Sequence, residues 1–351
     1  MISSFACDRL LPLLALLLAL LLVPSAHAAD GATEQAQRQG TQPGNNAPMW
    51  REVRKGENPY QTSQVRGVET NILVQPAGET WRQVRNGPIK LYGGLILIAW
   101  VLLIYGYYRW KGPLKLRDKP TGRMIERFSD WERIVHWSTA ISFVILAVSG
   151  LVILFGKHVL LPMFGYTLFS WLAILGKNLH NFVGPLFVFC TLAMFVTYVK
   201  DNLWRAADFV WLKKAGGLLN GEHLPSGRFN AGEKIWFWFG VLLLGLVSGA
   251  TGLVLDFPNF DQGRSVMQLV NVVHAVSAVL FIALALSHIY IGTIGAEAAY
   301  ESMRLGLVDE TWAREHHETW YEEVKAGKAR QHFVDDVPAD VKAQLAQASK
   351  A

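Results

Sequence analysis

The chain has 351 residues, 51% of them hydrophobic and 17% charged, with a formal net charge of +5. A composition this apolar excludes an ordinary soluble domain and fits a membrane protein with polar tails. The positive excess is what basic membrane-edge loops supply and does not call for a nucleic-acid partner.

The first 29 residues read as a secretory signal. Arg9 is a thin basic start, Leu10 to Val23 is the apolar run, and Ala26-His27-Ala28 matches a small-x-small cleavage site. Residues 30–88 read as a polar arm on the periplasmic side, poor in large apolar groups at first and too short to bury a core alone.

Five apolar spans follow at roughly 89–108, 134–155, 179–199, 235–255 and 268–294, each near the ~20 residues a bilayer requires. The first belongs to an extra transmembrane segment, 89–110. A basic linker, 111–133, leads to a four-helix core, 134–294, and a charged cytoplasmic tail fills 295–351. Polar loops are expected between the spans.

Basic residues orient the spans. Arg109, Lys111, Lys115, Arg117, Lys119, Arg123, Arg127 and Arg133 follow span one, and Lys200, Arg205, Lys213, Lys214, Arg228 and Lys234 follow span three. The opposite loops carry only Lys157, Lys177 and Arg264. The positive-inside rule therefore puts the C-terminus inside, and a cleaved signal leaves the arm outside.

Four histidines lie within the apolar spans: His136, His180, His274 and His288. An imidazole at membrane depth is costly and is a functional candidate by default. His274 and His288 lie 14 steps apart in one span, so they share a helix face about 21 Å apart along the axis. Depth pairs His180 with His274 on the outer side and His136 with His288 on the inner side.

Two nitrogen ligands at each of two levels suit two stacked haem b groups in a helical bundle. Ligands separated into two levels do not suit one zinc ion. Gly150 and Gly184 fall on ligand faces, where small residues let a flat ring approach. Cys7 and Cys190 offer neither C-x-x-C nor C-x-x-C-H, so haem is held non-covalently and any iron–sulfur cluster belongs to a partner. The other six histidines read as leader, loop or surface groups, His316 and His317 among the latter.

Five stretches then carry a resemblance. They are Arg133-Ile134-Val135-His136-Trp137, Leu179-His180-Asn181-Phe182-Val183-Gly184, Phe229-Asn230-Ala231-Gly232-Glu233-Lys234, His274 through His288 with Ile289-Tyr290, and Trp312-Ala313-Arg314-Glu315-His316-His317 with Trp320-Tyr321. Over roughly 125–325 the chain resembles the gamma subunit of membrane-bound formate dehydrogenase, a di-haem cytochrome b.

The resemblance implies an all-α integral membrane bundle with a four-helix di-haem core, here with one extra N-terminal transmembrane helix. It implies axial ligation of the outer haem by His180 and His274 and of the inner haem by His136 and His288. It implies a quinone site, for menaquinone or ubiquinone, at Asn230 and Gly232 near His288. Asn230 is equally a good helix N-cap.

The implied partners are a catalytic alpha subunit, an iron–sulfur beta subunit, the quinone pool and membrane lipid, in the bacterial inner membrane. No formate-oxidising site is expected on this chain. Glu233 departs from the amide expected there and is a candidate for proton delivery. Arg127, Arg133 and Lys234 are candidates to pair with haem propionates, or simply topology charges.

Two other readings remain at this point. One is the cytochrome b subunit of another quinone-linked enzyme, such as nickel–iron hydrogenase or thiosulfate reductase. The other is a transporter or proton channel with a histidine relay, which would bind no haem.

Overall fold

Ser129 opens the longest helix. Its Oγ accepts from the Glu132 amide, and the Glu132 carboxylate accepts in return from the Ser129 N–H at 2.9 Å, a reciprocal cap. The computed structural model describes residues 76–217, 224–260, 262–335, 337, 338 and 341. The leader, most of the arm, His223 and the last ten residues lie outside the described residues. The described residues of Ala77–Phe260 and Ser265–Ala351 form one compact unit, to which every contact below belongs.

Among the described residues four helices are long and apolar enough to cross a membrane: α1 (Ala77–Lys111), α2 (Asp130–Tyr198), α4 (Ala231–Asp256) and α5 (Arg264–Gly295). A short helix, α3 (Ala206–Lys213), lies between α2 and α4. α1 extends back into the stretch read as the arm.

The loop expected between 155 and 179 is not there. α2, 69 residues in all, is helical up to Gly165 and again after it, because Val159 to Leu175 is itself largely apolar and lacks a run of turn-forming residues. A straight helix of that length would reach about 100 Å, far beyond the ~30 Å hydrocarbon core. Gly165 solves this. Its φ of 71° and ψ of 176° lie outside the helical region, in a conformation that favours glycine.

The two arms of α2 therefore run antiparallel. Tyr198 Oη donates to the Glu132 carbonyl at 2.8 Å, and Thr139 Oγ1 to the Cys190 carbonyl at 3.3 Å. Farther along, Gly156 lies against Phe169. One element thus supplies two passes, and the bundle is all-α as expected.

α4 and α5 complete the four-helix core. Gly245 and Gly249 of α4 lie against Thr191 and Val188 of α2, and Ser248 Oγ lies 2.9 Å from Ser277 Oγ of α5. α1 packs on the outside of α5. Gly93 meets Val279, Trp100 Nε1 donates to Ser287 Oγ at 2.8 Å, and Tyr290 sits edge-on to Tyr107 and Tyr108. Phe182, Phe189 and Val196, seven residues apart, point outward from α2, as lipid-facing positions do.

One end of the bundle carries a folded cap. Strand β1 (Met124–Glu126) pairs antiparallel with β2 (Leu307–Asp309) on one side and β3 (Phe333–Val334) on the other. Helices α6 (Ala299–Leu305), α7 (Glu310–His316) and α8 (Glu318–Lys325) complete it. Ile125, Val308, Trp312, Trp320 and Val324 form its core. The stretch read as a basic linker and the charged tail thus fold together.

Candidate functional site

The bundle brings the four histidines together in the two expected pairs. The rings of His180 and His274 lie with centroids 6.0 Å apart at an interplanar angle of 82°. Those of His136 and His288 lie 6.2 Å apart at 57°. Metal–imidazole bonds are about 2 Å long. Each separation therefore leaves room for two such bonds plus the half-width of each ring. The histidines of each pair come from different passes, which is how a bundle grips a central cofactor.

Hydrogen bonds fix the chemistry at the His180–His274 level. Ser149 Oγ already donates to the Ile145 carbonyl at 2.7 Å, so it can only accept from His180 Nδ1, at 2.9 Å. His274 Nδ1 donates to the Ser248 carbonyl at 3.0 Å and lies 3.1 Å from Thr251 Oγ1. Both rings therefore carry their proton on Nδ1, which leaves the Nε2 lone pair as the ligand. That is the usual way a neighbouring acceptor orients a metal-bound histidine.

Glycines shape the same level. A Cβ at Gly150 would lie 3.2 Å from His180 Cε1, and one at Gly252 would lie 3.3 Å from His274 Cε1. Gly150 thus makes room for the His180 imidazole. A Cβ at Gly184 would meet nothing within 4 Å, so open space lies on that face of α2.

The His136–His288 level is built differently. His136 Nδ1 is buried with no hydrogen-bond partner among the described residues. Trp137 meets the His136 ring edge-on at 5.2 Å, and Trp236 stacks on His288 at 4.8 Å and 12°. Between the levels Phe143, Phe187 and Phe281 pack together, with Phe143 and Phe281 centroids 4.6 Å apart.

Paired imidazoles with fixed tautomers, an orphaned ring nitrogen and open space beside Gly184 fit haem. Among the described residues no group of three His, Cys, Asp or Glu side chains converges.

The cap closes over the His136–His288 end. Asn230 caps α4: its Oδ1 accepts from the Glu233 N–H at 3.0 Å, and Glu233 Oε2 accepts from the Asn230 N–H at 2.8 Å. Gly232 sits under Trp211, 3.0 Å from where its Cβ would be. Four residues on, Trp236 carries the helix to His288.

Each candidate propionate cation also has a protein partner. Arg127 Nη2 donates to Glu233 Oε1 at 2.9 Å. Lys234 Nζ donates to Asp208 Oδ2 at 2.7 Å and to the Leu203 carbonyl at 3.0 Å, with both side chains buried. Arg133 pairs with Asp130 and donates to the Arg304 carbonyl at 2.6 Å. Arg228 binds Glu132 at 2.7 and 2.9 Å and also pairs with Asp201.

His317 departs from its expected surface position. It is 2% exposed, with Nδ1 donating to the Gly227 carbonyl at 2.7 Å and Nε2 lying 3.1 Å from Arg127 Nη2. Burial first, then the Arg127 charge, push its pKa well below 6.5, and the Gly227 bond opposes them only in part. Its signal was the flanking Trp312 and Trp320. Trp236, Ser149, Thr251 and Gly252 also escaped sequence reasoning. The Ser-Gly pair 149–150, facing His180 on the other pass, was the available hint.

Comparison with known proteins gives the family. The family described as prokaryotic cytochrome b561 matches residues 127–304. The formate dehydrogenase cytochrome b556(fdo) subunit of Escherichia coli K12 is 32% identical over 210 residues, 57% of this chain and 93% of that protein. The nitrate-inducible formate dehydrogenase cytochrome b556(Fdn) subunit of the same strain is 29% identical over 226 residues, 61% and 98% of the two chains. The formate dehydrogenase cytochrome b556 subunit of Haemophilus influenzae is 27% identical over 216 residues, 58% and 85%. The chain belongs to the prokaryotic cytochrome b561 family, as an integral membrane cytochrome b that uses haem b and counts cytochrome b subunits of formate dehydrogenases among its relatives.

Proposed function

We propose that this chain is the membrane subunit of a formate dehydrogenase and carries electrons across the bacterial inner membrane to quinone. His180 and His274 hold one haem b on the periplasmic side, and His136 and His288 hold a second on the cytoplasmic side. The observation that carries this reading is the two facing histidine pairs at two levels of the bundle, with His274 and His288 fourteen residues apart on one helix. When bound, haem b supplies reversible one-electron iron chemistry; the chain supplies ligands, position and a dry surrounding.

Formate oxidation on a partner catalytic subunit yields carbon dioxide, a proton and two electrons, and a partner iron–sulfur subunit passes the electrons to the periplasmic level. At the capped end quinone takes two electrons and two protons from the cytoplasm and leaves as quinol. Asn230 and Gly232 line the quinone site. Asn230 Oδ1 is engaged as a helix cap, which leaves its amide NH2 to donate to a quinone carbonyl. Glu233 stands beside it to pass a proton inward. The basic segments around α3 and after α1 support a cytoplasmic cap by the positive-inside rule. Residues 1–29 are a removed signal, and the stretch from residue 30 to the start of α1 is an arm that contacts the partner subunits.

The test is purification of the membrane complex by a tag on this chain. The reading expects co-purifying catalytic and iron–sulfur subunits, and formate-driven reduction of a quinone analogue. Co-purification of a hydrogenase or thiosulfate reductase in their place contradicts it.

A further inference from the structure

The two histidine levels are positioned by different means, and the difference singles out Trp236. At the far level, hydrogen bonds to Ser149 Oγ and the Ser248 carbonyl fix both rings. Among the described residues, neither ring nitrogen of His288 makes a hydrogen bond. What touches its face is the Trp236 indole, nearly parallel at 12° with centroids 4.8 Å apart. Close stacking restricts rotation of the smaller ring about its side-chain bonds.

The backbone is shaped to put the indole there. Trp236 to Leu244 is a π-helical segment inside α4, a local widening that re-aims side chains and recurs at functional sites. Four residues on, Gly240 is the seat. A Cβ there would lie 2.3 Å from Trp236 Cε3 and 2.5 Å from Cζ3, so the indole lies flat on bare backbone. The neighbouring ring is Phe281, 5.8 Å away, midway between His274 and His288 on α5. Phe281 belongs to the phenylalanine cluster between the two levels. Trp236 is thus held by Gly240 and contacts both His288 and the mid-bundle aromatic cluster.

We propose that Trp236, seated on Gly240, is the positioning residue that sets the imidazole plane of His288, and through it the electronic state of one of the two haem irons. This rests on the assignment of His136 and His288 as one ligand pair. The relative orientation of axial imidazole planes governs the g-value spread of a low-spin ferric haem, and ligand orientation by outer groups also moves its potential.

The experiment compares wild type, W236L, W236F, G240A and H288A in the intact purified complex. It reads haem per chain, ferric electron paramagnetic resonance and a redox titration. Two haems per chain, with one resonance absent in H288A, establish the ligand assignment independently of Trp236. W236L and G240A are then expected to shift the resonance and midpoint potential of that same haem, with the other unmoved and W236F near wild type. If W236L loses the haem, G240A decides by the same criterion. An unmoved resonance in G240A, or equal shifts of both haems, overturns the proposal. A wild type with one haem, or an H288A with both resonances, defeats the underlying assignment instead.

Discussion

His317 and Arg127, 190 residues apart in sequence, meet in the cap with His317 Nε2 3.1 Å from Arg127 Nη2. Because His317 Nδ1 donates to Gly227, Nε2 must accept from the guanidinium, which requires a neutral ring. Its folded pKa lies well below 6.5, through burial and the charges of Arg127, His316 and Arg228. In the unfolded chain the ring titrates near the ordinary value of about 6.5.

Below that pH the unfolded state binds a proton the folded state refuses, so stability falls as pH drops. Thermal unfolding of the purified protein between pH 8 and pH 5 should show the loss below about pH 6.5. H317Q should flatten that slope. An unchanged slope in H317Q contradicts the assignment.

Lys234 and Asp208 are both buried and bonded at 2.7 Å. Removing one partner strands the other charge, at a cost of about 3–5 kcal/mol. D208A should therefore unfold at markedly lower denaturant or temperature. The double variant D208L/K234M should recover much of the loss, since an apolar replacement of a buried pair is often neutral. A double variant as unstable as D208A would show that the loss comes from elsewhere.

Ser149 matters because its hydroxyl can only accept from His180 Nδ1. S149A removes that acceptor without adding bulk. Loss of such an outer contact typically weakens metal affinity about 10–100-fold. Haem retention through detergent dilution should fall for one haem and hold for the other. Equal retention of both would mean that the serine does not orient the ligand.

Asn230 separates capping from quinone binding. Aspartate caps a helix about as well as asparagine, so N230D keeps α4 intact while losing the NH2 donor. A lost hydrogen bond of about 0.5–1.5 kcal/mol predicts a rise in quinone KM of up to roughly ten-fold with thermal stability kept. An unchanged KM places the quinone elsewhere.

Local rules made the spans and the histidine pairing readable, because periodicity and membrane depth are properties of neighbouring residues. The 14-step interval from His274 to His288 needs only helix geometry. The helical arms of α2 on either side of the turn were hidden because Lys157, His158 and Lys177 read as loop residues, and only Gly165 turns the chain. The cap was hidden because β1, β2 and β3 are two or three residues each, paired across nearly the whole described chain. Such strands have no period to detect. His317 looked like surface because the adjacent His316 and charged Arg314, Glu315 and Glu318 surround it in sequence, while its burial comes from Gly227 and Arg127.

The central claim is that each facing pair holds one haem b. Haem content and reduced-minus-oxidised spectra of H136A, H180A, H274A and H288A test it most directly. Wild type should hold two haems per chain. H180A and H274A should lose the same spectral component, H136A and H288A the other. A wild type without two haems, or a loss pattern that couples His136 with His274 or His180 with His288, contradicts it.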